Sequence, residues 1–265
     1  MSKLPLILLP PSEGKADGGT GPPWRPGTMA VDLDEQRRAV CAALVRAMGS
    51  SGPSRAKLLG VKGDALARAT ATNLAIGEAP TSRAIDRYTG VLYGELDAAS
   101  LAAAQRRRLR SSVLIFSGLW GLVAPDDPIP DYKLKMGATL PRLGKLSTWW
   151  REPLTGALLE RATGRVVWNL LPNEHDAAWR PAEVPFRELR TVRFLERRPD
   201  GSLVAVSHWN KLLKGALVRF LLDEPDAGPD RLAEWEHPLG YRLDPAMTAR
   251  SGGSTVLSFV QRGAG

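Results

Sequence analysis

The sequence predicts a single α/β domain built on one mixed sheet, with a small helical pair inserted over residues 52–76. Three observations predict it. Wholly or largely apolar runs at 6–9, 113–116 and 166–170 each give way to a polar loop, as strands buried on both faces do. Helix-like stretches separate these runs, which is the pattern of parallel strands joined by crossovers. Late in the chain, Pro199-Asp200-Gly201 between two strand-like runs signals a hairpin, so the sheet is mixed. No repeat and no linker divides residues 1–265, and a chain of this length buries a substantial core without staples.

Each element follows from local chemistry. Leu6–Leu9 reads as a strand stopped by Pro10-Pro11, and 16–28 is a Gly/Pro-rich connection. Asp32 is placed to cap a helix carrying Val40, Leu44, Val45 and Met48, which Gly49-Ser50-Ser51-Gly52 ends. Residues 54–76 read as two short helices, 84–92 as a mixed segment around Tyr88, and 98–110 as a helix with a basic end. Those arginines suit the helix C-terminal dipole. Strand 113–116 closes on Ser117-Gly118, irregular Pro-rich chain covers 124–131, and strand 166–170 runs into Pro172-Asn173-Glu174-His175. Strands at 189–196 and 203–207, a helix at 211–222, and a last pair around Tyr241 and 256–260 complete the reading.

Composition excludes several classes. The single cysteine, Cys41, forbids an internal disulfide and reads as a packed thiol in a reducing, cytoplasmic setting. Three histidines without i, i+4 spacing argue against a zinc site, so no metal and no cofactor are expected. No run approaches the roughly 18 apolar residues of a membrane span, and no membrane partner is expected. Net charge is +8, with 36 basic against 28 acidic residues. It is polarised: 101–151 carries +6 and 221–245 carries −5, as expected for one basic surface that meets a polyanion.

The three apolar strands point to one cleft, because ligands collect outside the carboxyl ends of parallel strands. Their loops bring Ser12, Glu13 and Lys15, then Ser117, then Asn173, Glu174 and His175. Asp131-Tyr132-Lys133-Leu134-Lys135 alternates, which sets Lys133 and Lys135 on one face of an extended segment with Tyr132 and Leu134 on the other. Glu13, Lys15, Lys135 and Glu174 are the candidate catalytic acids, bases and cations. Ser12, Ser117, Asp131, Tyr132, Lys133, Asn173, His175, Lys211 and Lys214 are the candidate ligand residues. Separately, Leu59-Gly60-Val61-Lys62-Gly63 resembles the turn of helix-hairpin-helix DNA-binding elements, where backbone N–H groups at a helix start meet a phosphate. Lys57, Gly60, Lys62, Gly63 and Arg68 are its candidate DNA contacts.

Read together, Leu8–Lys15, the Tyr88-Thr89-Gly90-Val91-Leu92-Tyr93 segment, Phe116-Ser117-Gly118-Leu119-Trp120-Gly121-Leu122, the block 125–137, Trp150, Asn169-Leu170 with Glu174, and Lys214-Gly215-Ala216 resemble the YaaA (peroxide stress, DUF328) family. The resemblance implies a single α/β domain of the YaaA type with an inserted helix-hairpin-helix and a positively charged cleft. It also implies a part in the oxidative (peroxide) stress response and DNA as partner, duplex or distorted duplex, with little sequence preference. Lys135 and His175 depart from the acidic and aromatic residues frequent in that family. They favour the alternative, an enzyme acting on a small heterocyclic or anionic metabolite in the same cleft, in specialised biosynthesis.

Overall fold

Leu6–Leu9 carries no polar side chain because both of its faces are covered, and all four residues are buried. The computed structural model describes residues 3–198, 200–206 and 209–261, and the chain's main sheet is built around this strand. In chain order come β1 (Leu6–Leu9), α1 (Asp34–Met48), α2 (Gly52–Leu59), α3 (Gly63–Leu74), β2 (Ser82–Arg83), α4 (Ala84–Arg87), α5 (Val91–Leu96) and α6 (Ala103–Ser112). Then follow β3 (Val113–Ser117), β4 (Gly121–Val123), β5 (Pro128–Ile129), β6 (Thr139–Leu140), β7 (Gly144–Lys145), α7 (Leu146–Trp149) and α8 (Arg151–Ala162). The remainder is β8 (Val166–Asn169), α9 (Asn173–Asp176), β9 (Glu188–Arg197), β10 (Leu203–Ala205), α10 (Asn210–Asp223), α11 (Pro229–Glu234), β11 (Tyr241–Leu243), β12 (Ala249–Ser251) and β13 (Ser254–Gln261).

Among the described residues the main sheet has nine strands, in the order β11-β13-β9-β8-β1-β3-β4, with β10 added to β9 and β12 to β13. It is a single mixed α/β domain. β1 lies parallel to β3, with Ile7 opposite Val113, and parallel to β8, with Ile7 opposite Trp168. β8 is parallel to β9, and β9 to β13 over seven residue pairs. β4, β10, β11 and β12 are antiparallel additions. The carboxyl ends of β3, β1 and β8 therefore open at one edge, which is where the loops after them gather. β2 pairs with β5 and β6 with β7 as separate two-stranded ribbons.

Several local expectations shift. Asp32 caps no helix: α1 starts at Asp34, and the residue before it, Leu33, makes no side-chain cap. Arg37, on α1, is fully buried instead, donating to the carbonyls of Val31, Trp120 and Leu122 and pairing with Asp34. Residues 98–110 are not one helix but a short turn and then α6, because Leu101 is buried between them. The segment 131–135 joins no strand, and Met136-Gly137 form a turn in which the Ala138 N–H donates to the Lys135 carbonyl. The hairpin forms as β9 and β10, with Pro199, Ser207 and His208 of that region outside the described residues.

Four arginines of the basic stretch 101–151 are engaged within the protein. Arg108 donates to the carbonyls of Leu222 and Asp223 at the end of α10, Arg106 to that of Leu101, and Arg151 to that of Ala177. Arg110 pairs with Asp126. Guanidinium groups that satisfy the last carbonyls of a helix are structural groups, not a docking face. Where a helix-hairpin-helix is expected, the structure has two helices, α2 and α3, joined by a tight turn, and no helix-hairpin-helix is shown by it. No helix among the described residues is long and apolar enough to cross a membrane.

Candidate functional site

The loop after β1 turns on Pro10-Pro11 and returns Lys15 to Tyr88 through a single antiparallel bridge. That return points Lys15 inward. Its ammonium lies 4.2 Å from the centre of the Tyr132 ring and donates to the Ser12 carbonyl at 3.2 Å. Beneath it runs a chain of hydroxyls: Tyr88 to Tyr132 at 2.8 Å and Tyr132 to Ser117 at 2.7 Å. Ser117 also accepts the N–H groups of Leu119 and Trp120, which holds the turn after β3. Burial pushes the Tyr132 phenol up to about 12, so this layer stays neutral.

Above that layer is a cleft of about 570 Å³, within the range of small-molecule sites. Five of the chain's nine lysines line it (Lys15, Lys133, Lys135, Lys211 and Lys214), and no arginine among the described residues does. Glu13 reaches across the mouth, with Lys133 and Lys135 each 3.1 Å from one of its carboxylate oxygens. The Lys135 bond is the main cause that holds the Glu13 carboxyl below its ordinary range; burial, the next largest, works against it, and Lys133 adds to the lowering. Lys15 and Lys214 are different. Neither has a carboxylate partner among the described residues, and burial pushes each down to about 8, for Lys15 against the pull of Asp131.

The remaining candidates divide. Ser12, Tyr132, Glu174 and His175 line the cleft together with those lysines and Glu13. Glu174 accepts the N–H of Gly137 and so ties α9 to the lysine segment. His175 is kept neutral by burial, which takes it down to about 4, and neither ring nitrogen has a hydrogen-bond partner. Ser117 lies under the floor, fully buried. Asp131 turns back to accept the N–H of Tyr132, and Asn173 only opens α9; neither reaches the lining.

Lys57, Lys62 and Arg68 are exposed on α2, the turn and α3. Gly60 and Gly63 both take left-handed φ, 67° and 55°, which only glycine accepts cheaply, and this makes the turn tight. The turn meets the cleft: a Cβ at Gly60 would stand 3.7 Å from the Lys135 ammonium. A residue that sequence reasoning missed locks this junction. Asn73 of α3 is fully buried, donates to the Lys133 carbonyl at 2.9 Å and accepts the Lys133 N–H at 2.8 Å. Tyr93 and Asn210 were missed as lining residues as well; Tyr93 donates to the Pro10 carbonyl at 2.8 Å, and Asn210 opens α10 immediately before Lys211.

Fold and site together define an α/β protein with a lysine-lined cleft at the carboxyl edge of its parallel strands. Comparison with known proteins gives the family. The model of the peroxide stress protein YaaA family matches residues 6–247, and the chain belongs to that family. It is 40% identical over 250 residues to a UPF0246 protein of Streptomyces coelicolor, covering 93% of this chain and 95% of that one. A UPF0246 protein of Corynebacterium glutamicum is 35% identical over 228 residues, covering 84% of this chain and 87% of its own. One from Laribacter hongkongensis is 33% identical over 185 residues, covering 68% and 70%.

Proposed function

We propose that this member of the peroxide stress family binds the phosphate backbone of DNA, with the turn between α2 and α3 and the rim lysines of the cleft acting as one surface. The observation that supports it is the junction just described. Asn73 fixes α3 to Lys133, and the Gly60 turn abuts Lys135, so Lys57, Lys62 and Arg68 are held in rigid relation to Lys133 and Lys135. No side chain caps the start of α3, which leaves its first N–H groups free for an anion; Asp64 in that first turn opposes one. Contacts of this kind give affinity with little sequence readout.

Fluorescence anisotropy on a labelled duplex and on a distorted duplex over a range of salt tests the reading. The logarithm of affinity should fall linearly with the logarithm of salt, and Lys62→Ala or Lys133→Ala should each reduce the slope by about 0.9. Absent or salt-insensitive binding sinks it.

A different observation favours a second reading, a small anionic or heterocyclic metabolite as ligand of the cleft. Lys15 and Lys214 face a cavity of metabolite size, and neither is in ion-pair contact with a carboxylate among the described residues, although Asp131 and Glu13 act on Lys15 from further off. Buried ammonium groups left in that state are stabilised by an incoming anion. Ligand-dependent shifts of the melting temperature test it.

A further inference from the structure

We propose that Lys214 is a nucleophilic amine that condenses with the carbonyl group of a small carboxylated or phosphorylated compound held in the cleft. This rests on the second reading above and adds a reaction to it. Composition carries the first step. In a chain with three arginines for every lysine, the cleft uses five lysines and, among the described residues, no arginine. Arginine is the better ligand for a carboxylate or phosphate, because its planar fork binds two oxygens at once. What lysine alone offers is an amine that can give up its proton and attack carbon.

Position selects Lys214 among the five. Lys133 and Lys135 are engaged by Glu13, Lys15 lies against the Tyr132 ring, and Lys211 is exposed. Lys214 is half-buried, and its ammonium donates to one neutral oxygen, the Leu170 carbonyl at 2.9 Å. The groups facing it from the packed elements do not hold its proton. Glu13 is shared by two lysines, Glu174 accepts the Gly137 N–H, and His175 is neutral. Tyr93 of α5 donates to Pro10, and Glu95 of α5 faces His237 at 3.9 Å. Burial then brings Lys214 down to about 8. Its helix is also held firmly, because Gly215 lets α10 press directly on the backbone of α5 at Leu92.

The step balances without an oxidant or reductant. The neutral amine attacks the carbonyl carbon, the Nζ–C bond forms, and the C–O bond breaks. The oxygen leaves as water with the two amine protons, which gives an imine. Lys15 and Lys211 hold the acid group, and Glu174, the lining carboxylate no lysine engages, is placed to pass a proton to the departing oxygen.

The test uses the full chain with pyruvate as the carboxylated probe and glycolaldehyde phosphate as the phosphorylated one. Each is incubated with sodium cyanoborohydride near pH 8, and the reduced adduct is mapped by peptide mass spectrometry. Near that pH about half of Lys214 is neutral, against well under 1% of a lysine at the ordinary 10.5, a difference on the order of a hundredfold. The expected result is an adduct from at least one probe on Lys214, absent in Lys214→Arg and Lys214→Met and kept in Lys145→Arg, whose side chain is exposed and lies outside the cleft lining. Circular dichroism confirms that each variant is folded. Trace labelling with acetic anhydride across pH should show Lys214 titrating near 8, well below the ordinary 10.5 of a lysine. Adducts spread over the exposed Lys3, Lys57, Lys62 and Lys145, or Lys214 titrating at the ordinary lysine value, overturn the proposal. A probe that raises the melting temperature but leaves no reducible adduct also overturns it, while the metabolite reading itself stands.

Discussion

Where α10 crosses α5, a Cβ at Gly215 would stand 2.4 Å from the Leu92 carbonyl oxygen and 2.9 Å from the Cβ of Glu95. Unstrained contact between such atoms is about 3.5 Å, so Gly215→Ala forces one helix back by about 1 Å. Two opposing effects decide the sign. Alanine in a helix interior is favoured over glycine by about 0.8–1.0 kcal/mol. Overpacking costs about 1–3 kcal/mol, and here the obstacle is backbone, which cannot rotate away as a side chain can. The expected net is a loss of about 1–2 kcal/mol. Gly156 supplies the matched control, since it is exposed inside α8 and a Cβ there meets nothing within 4 Å. Gly156→Ala should gain about 0.5–1 kcal/mol. Urea denaturation of both variants measures the pair, with midpoints moving in opposite directions at an unchanged m value. If Gly215→Ala is stabilised like Gly156→Ala, the close contact between α10 and α5 is not there, and Lys214 is not held as described.

Asn73→Ala should cost about 1–3 kcal/mol by chemical denaturation, because two backbone groups of Lys133 lose their partner, and it should weaken DNA binding beyond what the lost stability explains. Lys135→Ala should raise the Glu13 pKa seen by carboxyl-carbon NMR titration, since the Lys135 bond is the main cause of its depression. Glu13 binds its proton less readily folded than unfolded, so its contribution is present above the unfolded pKa and is lost as pH falls through the folded one. The cleft lysines give the opposite window. Lys15 and Lys214 are pushed down to about 8, so between about pH 8 and 10 the unfolded chain binds more protons and stability rises with pH. Lys214→Met should flatten that rise in denaturation midpoints measured across the window. Asp64→Asn should tighten DNA binding in anisotropy, by removing a negative charge from the start of α3.

The sheet's centre was legible because its signal is local. Four apolar residues in β1, and similar runs in β3 and β8, require two covered faces, and parallel neighbours follow from the crossovers between them. The alternation at 131–135 likewise separated Tyr132 and Leu134 from the two lysines without any need of a strand, and the structure buries the first pair. What could not be read was pairing across distance. Nothing near Asn73 says that its amide replaces a strand partner for Lys133, 60 residues away. The arginines at 106–110 have the composition of a docking face, yet Arg108 caps the end of α10, which lies more than a hundred residues downstream. Asp32 failed as a cap because Asp34 binds Arg37 and the Gly27 N–H, and so starts the helix itself.

The cleft's walls come from residues 10–15, 90–93, 132–135, 172–175 and 210–214, so no contiguous piece of the chain contains it. During synthesis, β1 emerges first but must wait for β3 and β8 before it has neighbours, and α10 arrives later still. Pairings this distant in sequence form slowly. The nascent protein therefore carries its α2–α3 pair, with Lys57, Lys62 and Arg68, well before it has a cleft. Any DNA contact made by that pair alone would be weak until release from the ribosome. In this chain the site is assembled late, when α10 joins the strands before it, and a truncation before residue 210 would remove Asn210, Lys211 and Lys214 from its lining together with β13, the neighbour of β9.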